Sequence, residues 1–194
     1  MDTNERQFMV LAVKEAEKSV SEDDRLHPKV GAVIVKDGKI RIRGFRGNPK
    51  PGDHAEFGAL KQIPADEDLT GATVFTTLEP CTNRPGENLP CADCLIQRRV
   101  KRVVIGILDP NPEIFATSYK RLRTAGIEVQ LFDHDLVLQI EGMNRQWIRE
   151  QGDKLTSPVK AGKIYLEGVE IRGGDGAIGP GGHARVKGGR GQGV

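Results

Sequence analysis

Three side chains that bind soft metal ions are spread over the middle of the chain, and they form one site only in a fold that brings them together. These are His54, Cys81 and Cys91, and the carboxylate of Glu56 lies two residues after the histidine. One imidazole and two thiolates hold a zinc ion tetrahedrally and leave a fourth position for water, which is typical of a catalytic site. Glu56 is not needed as a ligand, so it is free to move protons to and from that water.

The predicted elements around these residues indicate how they converge. Residues two apart on a helix point about 200° apart, so His54 and Glu56 can face one point only where a helix begins. Cys91 also stands at a predicted helix start, where the positive end of the helix dipole favours a thiolate. Cys81 follows a short run rich in β-formers. The sequence therefore predicts a site between two helix starts and one strand end.

The identity of the third ligand is open between two cysteines. Cys94 lies one helical turn after Cys91 on the same side, so either thiol could reach the ion. Binding by all three cysteines and His54 would close the site, and hydrolysis would be lost. We favour Cys91 because the preceding Leu-Pro places it at the start of the helix. We expect Cys94 to be a small packing residue.

The hydrophobic pattern predicts a β-hairpin followed by alternating strands and helices. Asp37-Gly38 is a signal for a two-residue hairpin turn. The predicted strands cover 30–36, 39–43, 72–77, 102–108 and 127–132. The predicted helices cover 4–20, 54–63, 91–99 and 134–151, with one more that ends at Ala125. This order indicates an α/β fold with a mixed sheet of about five strands and helices on both faces.

A change in composition divides the chain into two parts. Residues 1–152 are predicted to form the folded domain that holds the metal site. Residues 153–194 are predicted to be a flexible tail with one strand at 163–171. From position 173 onward glycine dominates and apolar residues almost vanish. Such a segment cannot bury enough surface to offset the entropy lost on ordering.

Length, charge and cysteine usage exclude several classes of protein. The 194 residues carry a net charge of +2, which gives no strong field for a polyanion. No apolar run approaches the ~20 residues of a membrane span, and the first residues lack the apolar core of a signal peptide. The three cysteines are clustered, which suits a metal site in a reducing compartment. We expect a cytoplasmic protein with no membrane partner.

The order of the sequence motifs resembles the cytidine deaminase-like superfamily. The matching stretches lie within about 11–132 and read VGAVIVKDGKI, HAE, TTLEPC, PCADCLI, VKRVVIGILDPNP and LRTAGIEV. H-x-E with P-C-x-x-C is the signature of zinc deaminases that act on bases. The branch that looks nearest is the pyrimidine deaminase domain of riboflavin biosynthesis. The resemblance implies a three-layer α/β/α sandwich, zinc on His54, Cys81 and Cys91, Glu56 as the catalytic proton shuttle, and a homodimer or homotetramer.

Candidate substrate contacts surround the expected site. They are His27, Asn48, Asn83, Arg84, Asp109 and Asn111. Asp109 and Asn111 belong to the Asp-Pro-Asn-Pro stretch that the riboflavin branch shares. Asn83 and Arg84 lie in the loop after Pro-Cys, where that branch carries a histidine and a basic residue.

Two of these candidates, His27 and Asn48, and two further residues, Arg46 and Glu79, bear on substrate binding and proton transfer. His27 stands before a proline where the riboflavin branch has asparagine, and it could contact a substrate ring or phosphate. Arg46, like Asn48, precedes the helix that carries Glu56, and it could meet a phosphate. Glu79 precedes Pro80 at a strand end, and we expect a structural hydrogen-bonding role for it.

The sequence favours hydrolytic deamination of a pyrimidine-type, nucleotide-like small molecule, with release of ammonia. The expected partners are a heterocyclic substrate and water. One alternative is a deaminase of a base in tRNA or single-stranded DNA, which would need a basic groove with stacking aromatics. Aromatic residues are scarce, Tyr119 and Trp147 being the notable ones, so nucleic acid is not the favoured partner. Another alternative is a non-enzymatic binding or assembly module whose glycine-rich tail recruits nucleic acid or other chains, but the complete set of ligands and base argues against it.

Overall fold

A computed structural model describes residues 5–84, 89–111, 114–156, 165–166 and 169–170. The chain divides into two compact units, Met1–Ser157 and Pro158–Val194. The helices of the first unit are α1 (Arg6–Ala16), α2 (Ala55–Lys61), α3 (Cys91–Gln97), α4 (Thr117–Thr124), α5 (His134–Met143) and α6 (Arg145–Thr156). Its strands are β1 (Gly31–Lys36), β2 (Lys39–Phe45), β3 (Thr73–Leu78), β4 (Arg102–Ile107) and β5 (Glu128–Leu131).

The five strands form the predicted mixed sheet, in the order β2-β1-β3-β4-β5. β1 pairs antiparallel with β2 and with β3, whereas the β3–β4 and β4–β5 pairs are parallel. The hairpin turn is also confirmed, since Asp37 and Gly38 both have positive φ, at 52° and 71°. Two successive residues of this kind match the right-handed twist of a hairpin.

Helices cover both faces of the sheet, which confirms the three-layer α/β/α sandwich. Successive residues of a strand point to opposite faces, so Phe75 and Val74 enter different cores. Phe75 packs in the core beneath α1 and α5, together with Phe8 and Ile140. Val74 packs in the core beneath α2, α3 and α4, together with Leu95 and others.

The prediction of one long helix over 134–151 is wrong, because Asn144 separates α5 from α6. The Asn144 carboxamide oxygen accepts a hydrogen bond from the Lys29 backbone N–H at 2.7 Å. Its amide nitrogen donates to the carbonyl of Lys29 at 3.2 Å and to the carbonyl of Ile140 at 3.1 Å. A buried side chain that bonds a distant backbone segment in this way ends one helix and starts another.

The second unit contains two short strands, β6 (Tyr165–Leu166) and β7 (Val169–Glu170), which pair antiparallel. The range 163–171, for which one strand was predicted, therefore holds two. The glycine-rich part of the tail, 171–194, lies outside the described residues, so its predicted flexibility stays a prediction. Within the part of the chain that the structure describes, no helix has the length and apolar character of a membrane span.

Candidate metal centre and its pocket

The start of α2 presents the histidine and the carboxylate to one point, as the sequence predicted. His54 is the extended residue that precedes the helix, and Glu56 lies in its first turn. The helix begins close to the loop before it because residue 58 is glycine. A Cβ at Gly58 would lie 1.9 Å from the carbonyl oxygen of Asn48, so any larger residue would push this loop away.

The two cysteines reach the same point from β3 and from α3. Cys81 follows the end of β3, and Cys91 is the first residue of α3. The Cys91 backbone N–H donates to the Cys81 sulfur at 3.3 Å, and the Cys91 sulfur lies 3.7 Å from Nδ1 of His54. The ligand atoms of the three residues all lie within 4.8 Å of one another.

This cluster fits a zinc site. Ligands of a tetrahedral zinc ion with ordinary bond lengths lie about 3.5 to 3.8 Å apart, and the sulfur–nitrogen distance of 3.7 Å falls in that range. Two thiolates and one imidazole are also the donor set that zinc prefers. None of the three cysteines forms a disulfide, so both sulfurs of the cluster are free to bind a metal.

The protonation states of the Cys81 and Cys91 thiols also favour the binding of a cation. A hydrogen bond from the Cys91 thiol lowers the pKa of Cys81 to about 4. That hydrogen bond, together with burial, raises the pKa of Cys91. The pair therefore shares one proton, and metal binding has to release it because only thiolates are good ligands.

Cys94 lies outside the cluster. Its thiol is 3.7 Å from the carbonyl oxygen of Leu89, and its side chain packs against the core beneath α2, α3 and α4. Among the described residues, His54, Cys81 and Cys91 form the group able to hold a metal ion.

Glu56 is buried next to the metal cluster, with 3% of its surface exposed. Burial raises its pKa, and the hydrogen bond from the Thr76 hydroxyl at 2.9 Å opposes this rise. The same hydroxyl lies 3.1 Å from the carbonyl oxygen of Leu78. Thr76 can therefore donate to an ionised Glu56, or accept from a protonated one while it donates to Leu78. Thr76 was not predicted from the sequence, and it enters the site through its position on β3.

A cavity of about 180 Å³ lies against the cluster and Glu56. Two of the predicted substrate contacts, Asn83 and Asp109, line it. Other walls come from Pro28, Val30, Arg46 and Trp147. The cavity therefore combines two of the candidate metal ligands, His54 and Cys81, with a buried carboxyl group and both polar and apolar walls.

The structure places the other predicted contacts away from this wall. His27 bonds its neighbours, with Nε2 2.8 Å from Asp23 and Nδ1 3.0 Å from Arg46. Arg46, and not His27, lines the cavity. The buried guanidinium of Arg46 also forms an ion pair with Glu22.

Arg84, Asn48 and Asn111 likewise meet other parts of the protein. The Arg84 guanidinium stacks on the Phe57 ring at 4.2 Å and donates to the carbonyl of Gly52 at 3.2 Å. Asn48 accepts a hydrogen bond from the Gln62 side chain at 3.3 Å. The Asn111 backbone N–H donates to the side chain of Asp109 at 2.9 Å, which ties it to the loop of a lining residue.

Glu79 has the structural role that the sequence predicted. Its buried carboxylate accepts five hydrogen bonds at 2.8 to 3.3 Å, from the backbone N–H groups of Asp109, Ala116, Ser118 and Tyr119 and from the Ser118 hydroxyl. Four of these donors, on Ala116, Ser118 and Tyr119, belong to the first turn of α4 or precede it directly. Glu79 therefore caps α4 and holds Asp109 in the cavity wall.

Comparison with known proteins relates this site to zinc deaminases. Residues 2–107 match the family model of the cytidine and deoxycytidylate deaminase zinc-binding region, which is more than half of the chain. The chain is 42% identical over 106 residues to a diaminohydroxyphosphoribosylamino-pyrimidine deaminase from Buchnera aphidicola, which covers 54% of this chain and 69% of that relative. Longer relatives are riboflavin biosynthesis proteins of plants and bacteria, and the chain spans 23% to 34% of three of them.

Solved structures share the fold. A bifunctional diaminohydroxyphosphoribosylaminopyrimidine deaminase/5-amino-6-(5-phosphoribosylamino)uracil reductase from Thermotoga maritima is 37% identical, with a TM-score of 0.67, over 78% of this chain and 42% of that one. The Rib2 deaminase of Aspergillus oryzae, solved in complex with DARIPP, is 22% identical with a TM-score of 0.57, over 78% of this chain and all of that one. At this identity the second likeness shows the fold alone.

Proposed function

The chain belongs to the cytidine and deoxycytidylate deaminase zinc-binding family, and on that premise we propose that it is a hydrolytic deaminase of a pyrimidine-type small molecule. One observation carries the proposal: the buried carboxyl group of Glu56 lines the same cavity as His54 and Cys81, two members of the cluster that Cys91 completes. Neither part suffices alone, because hydrolysis of an aromatic amine needs both an activated water and a proton for the leaving group.

The proposed reaction replaces an exocyclic amine by oxygen. A zinc ion on the three ligands would supply a Lewis acid that lowers the pKa of a water molecule toward neutrality. Glu56 takes a proton from this water and delivers it to the ring nitrogen. It then takes the proton of the hydroxyl group now bound to the ring carbon and delivers it to the exocyclic amino group, which leaves as ammonia. Thr76 keeps the Glu56 carboxyl hydrogen-bonded in both protonation states. A carbon–oxygen bond forms, a carbon–nitrogen bond breaks, and water and substrate become product and ammonia.

The proposed substrate is the aminopyrimidine nucleotide of riboflavin biosynthesis or a close relative. The name of the Buchnera relative and the names of the longer relatives support this class. Asn83 and Asp109 line the cavity and are the proposed polar contacts to the ring. A base in tRNA or single-stranded DNA is the second candidate substrate, and the small volume of the cavity does not discriminate against a single extruded base.

Assembly and location are also parts of the proposal. We propose a homodimer or homotetramer, as the family resemblance implies. A cytoplasmic location is supported by the three cysteines, which are all free thiols in the structure. Two plant relatives carry the word chloroplastic in their names.

An ammonia-release screen tests the proposed activity. Zinc-loaded protein is incubated with aminopyrimidine, cytosine, adenine and guanine nucleotides, and Glu56→Gln protein serves as the control. We expect release from an aminopyrimidine nucleotide, and a loss of about 10² to 10⁴ in kcat for Glu56→Gln, since the amide cannot carry a proton. The zinc content of the variant should equal that of the wild type. Failure of the zinc-loaded wild type to release ammonia from every nucleotide would refute the proposal.

A further inference from the structure

The only tryptophan of the chain, Trp147, lies in the wall of the cavity that holds His54 and Glu56. It is 8% exposed, and the rest of its side chain packs in the core beneath α1 and α5. It belongs to α6, outside residues 2–107 that match the family model. The indole is therefore a feature of this cavity that the shared zinc-binding region does not supply.

The position of Trp147 is fixed by the break between α5 and α6. Asn144 binds both the N–H and the carbonyl of Lys29, and α6 begins at the next residue. The neighbours of Lys29 in sequence, Pro28 and Val30, line the same cavity. The hydrogen bonds of Asn144 thus join the segment 28–30 and the start of α6 into one wall, and Trp147 lies in the first turn of that helix.

The walls of the cavity differ in polarity. Arg46, Glu56, Asn83 and Asp109 supply charged or polar groups, whereas Trp147 has the largest apolar side chain among the described residues that line the cavity. A planar heterocycle offers polar atoms at its edge and an apolar π-face. Polar groups read the edge by hydrogen bonds, and an aromatic side chain suits the face.

We propose that Trp147 is a specificity-determining residue whose indole packs against the planar ring of the substrate. This inference rests on the proposed deaminase function. It adds that the indole of Trp147 is the surface that selects for a flat aromatic ring. Stacking of a base on an aromatic side chain commonly changes affinity by roughly 5- to 150-fold. A ring that has lost its planarity, such as a 5,6-dihydropyrimidine, gains little from this surface.

The presence of a single tryptophan allows a direct binding test that needs no turnover. Glu56→Gln protein loaded with zinc is titrated with 2,5,6-triamino-4-hydroxypyrimidine and with cytidine 5′-monophosphate, and the tryptophan emission is recorded. We expect a saturable change in emission with at least one probe. Calorimetry on the same samples measures binding independently. Binding that calorimetry detects without any change in emission would overturn the proposal.

Substitutions test selectivity separately from stability. We expect Trp147→Phe to keep KM within about threefold and Trp147→Leu to raise KM roughly tenfold or more, with a smaller change in kcat, since one aromatic ring still packs on the substrate and an aliphatic chain does not. The ratio of kcat/KM for a pyrimidine to that for its 5,6-dihydro analogue should fall in Trp147→Leu. If Trp147 had only a structural role, its replacement would lower kcat/KM for the pyrimidine and for the dihydro analogue by the same factor.

Leu136→Ala is the matched control, because Leu136 is a buried residue of the same core that does not line the cavity. It should lower the melting temperature and leave both KM and the ratio unchanged. An unchanged KM and ratio in zinc-loaded Trp147→Leu would refute the role of Trp147 while the deaminase function stands. If the wild type neither binds nor deaminates any pyrimidine, both proposals fail together.

Discussion

At the scale of single residues, two cysteines one turn apart on α3 differ in what they can bind. Cys91 opens the helix and contacts both Cys81 and His54. Cys94 points to the carbonyl of Leu89 instead. The sequence left both thiols within reach of the ion and favoured Cys91 because the preceding Leu-Pro places it at the start of the helix.

Zinc analysis of two serine variants tests this assignment. We expect Cys91→Ser to lose most of its zinc, because a serine hydroxyl is a poor replacement for a thiolate. Cys94→Ser should retain about one zinc ion per chain, as in the wild type, and it is the control for handling and oxidation. The metal content of purified protein is measured by mass spectrometry of the ion. Retention of zinc by Cys91→Ser and its loss from Cys94→Ser would overturn the assignment.

The neighbours of the candidate substrate contacts were harder to predict than the convergence of the candidate metal ligands. A metal ligand is identified by its chemistry, whereas the groups that a polar loop residue contacts depend on how the loop packs against the rest of the fold. His27 is occupied by Asp23 and Arg46, and Arg84 is held by Phe57. These partners are set by tertiary packing, so the sequence pattern around His27 and Arg84 could not reveal them.

At the scale of elements, α4 depends on a residue that lies outside it. Ala116 precedes the helix with a φ of 57° and has no side chain that could cap it. Glu79, which follows β3, supplies the missing acceptor for the first turn of α4. This long-range cap also fixes Asp109 after β4, so strand ends and helix start are held by one carboxylate.

Replacement of Glu79 by glutamine should loosen this arrangement. The amide keeps one acceptor oxygen and turns an NH₂ group toward backbone N–H donors, which leaves buried donors unpaired. We expect the free energy of unfolding to fall by about 2 to 3 kcal/mol. Urea unfolding measures it, and Glu128→Gln, at an exposed position of β5, is the matched control with an expected change within about 0.5 kcal/mol. Equal stabilities for the two variants would contradict the capping role.

The elements were predictable wherever their signals were local. The turn at Asp37-Gly38 and the alternation of strand residues are visible within a few positions. The break at Asn144 was missed because its cause, the backbone of Lys29, lies 115 residues away. An asparagine within a helical pattern is compatible with one continuous helix until such a partner is known.

At the scale of the whole molecule, the candidate metal ligands and the polar cavity residue Asp109 lie at one edge of the sheet. Cys81 follows β3 and Asp109 follows β4, and these strands run parallel. Parallel strands end at the same edge, which is where ligands bind in open α/β sheets. α2 and α3 begin at this edge as well, so His54 and Cys91 face it. The strand order of the sheet therefore brings motifs that are far apart in the sequence together in one site.

A metal that joins three elements should also stabilise the fold, because it binds the folded chain and not the unfolded one. At a free zinc concentration of 100 times Kd the gain is about 2.7 kcal/mol. For a domain of this size we expect a chelator to lower the melting temperature by roughly 5 to 10 °C. Thermal unfolding followed by circular dichroism, with and without chelator, measures this shift.

The two cysteine variants separate metal removal from other effects of the chelator. Cys94→Ser should lose as many degrees as the wild type, since it keeps the ligands that join α2, α3 and the end of β3. Cys91→Ser should already melt lower and should not respond to the chelator, because it holds no zinc to lose. A wild-type melting temperature that the chelator leaves unchanged would mean that His54, Cys81 and Cys91 do not hold these elements together through a metal. The edge of the sheet would then owe its order to contacts such as those of Glu79 and the hydrogen bond from the Cys91 backbone N–H to the Cys81 sulfur.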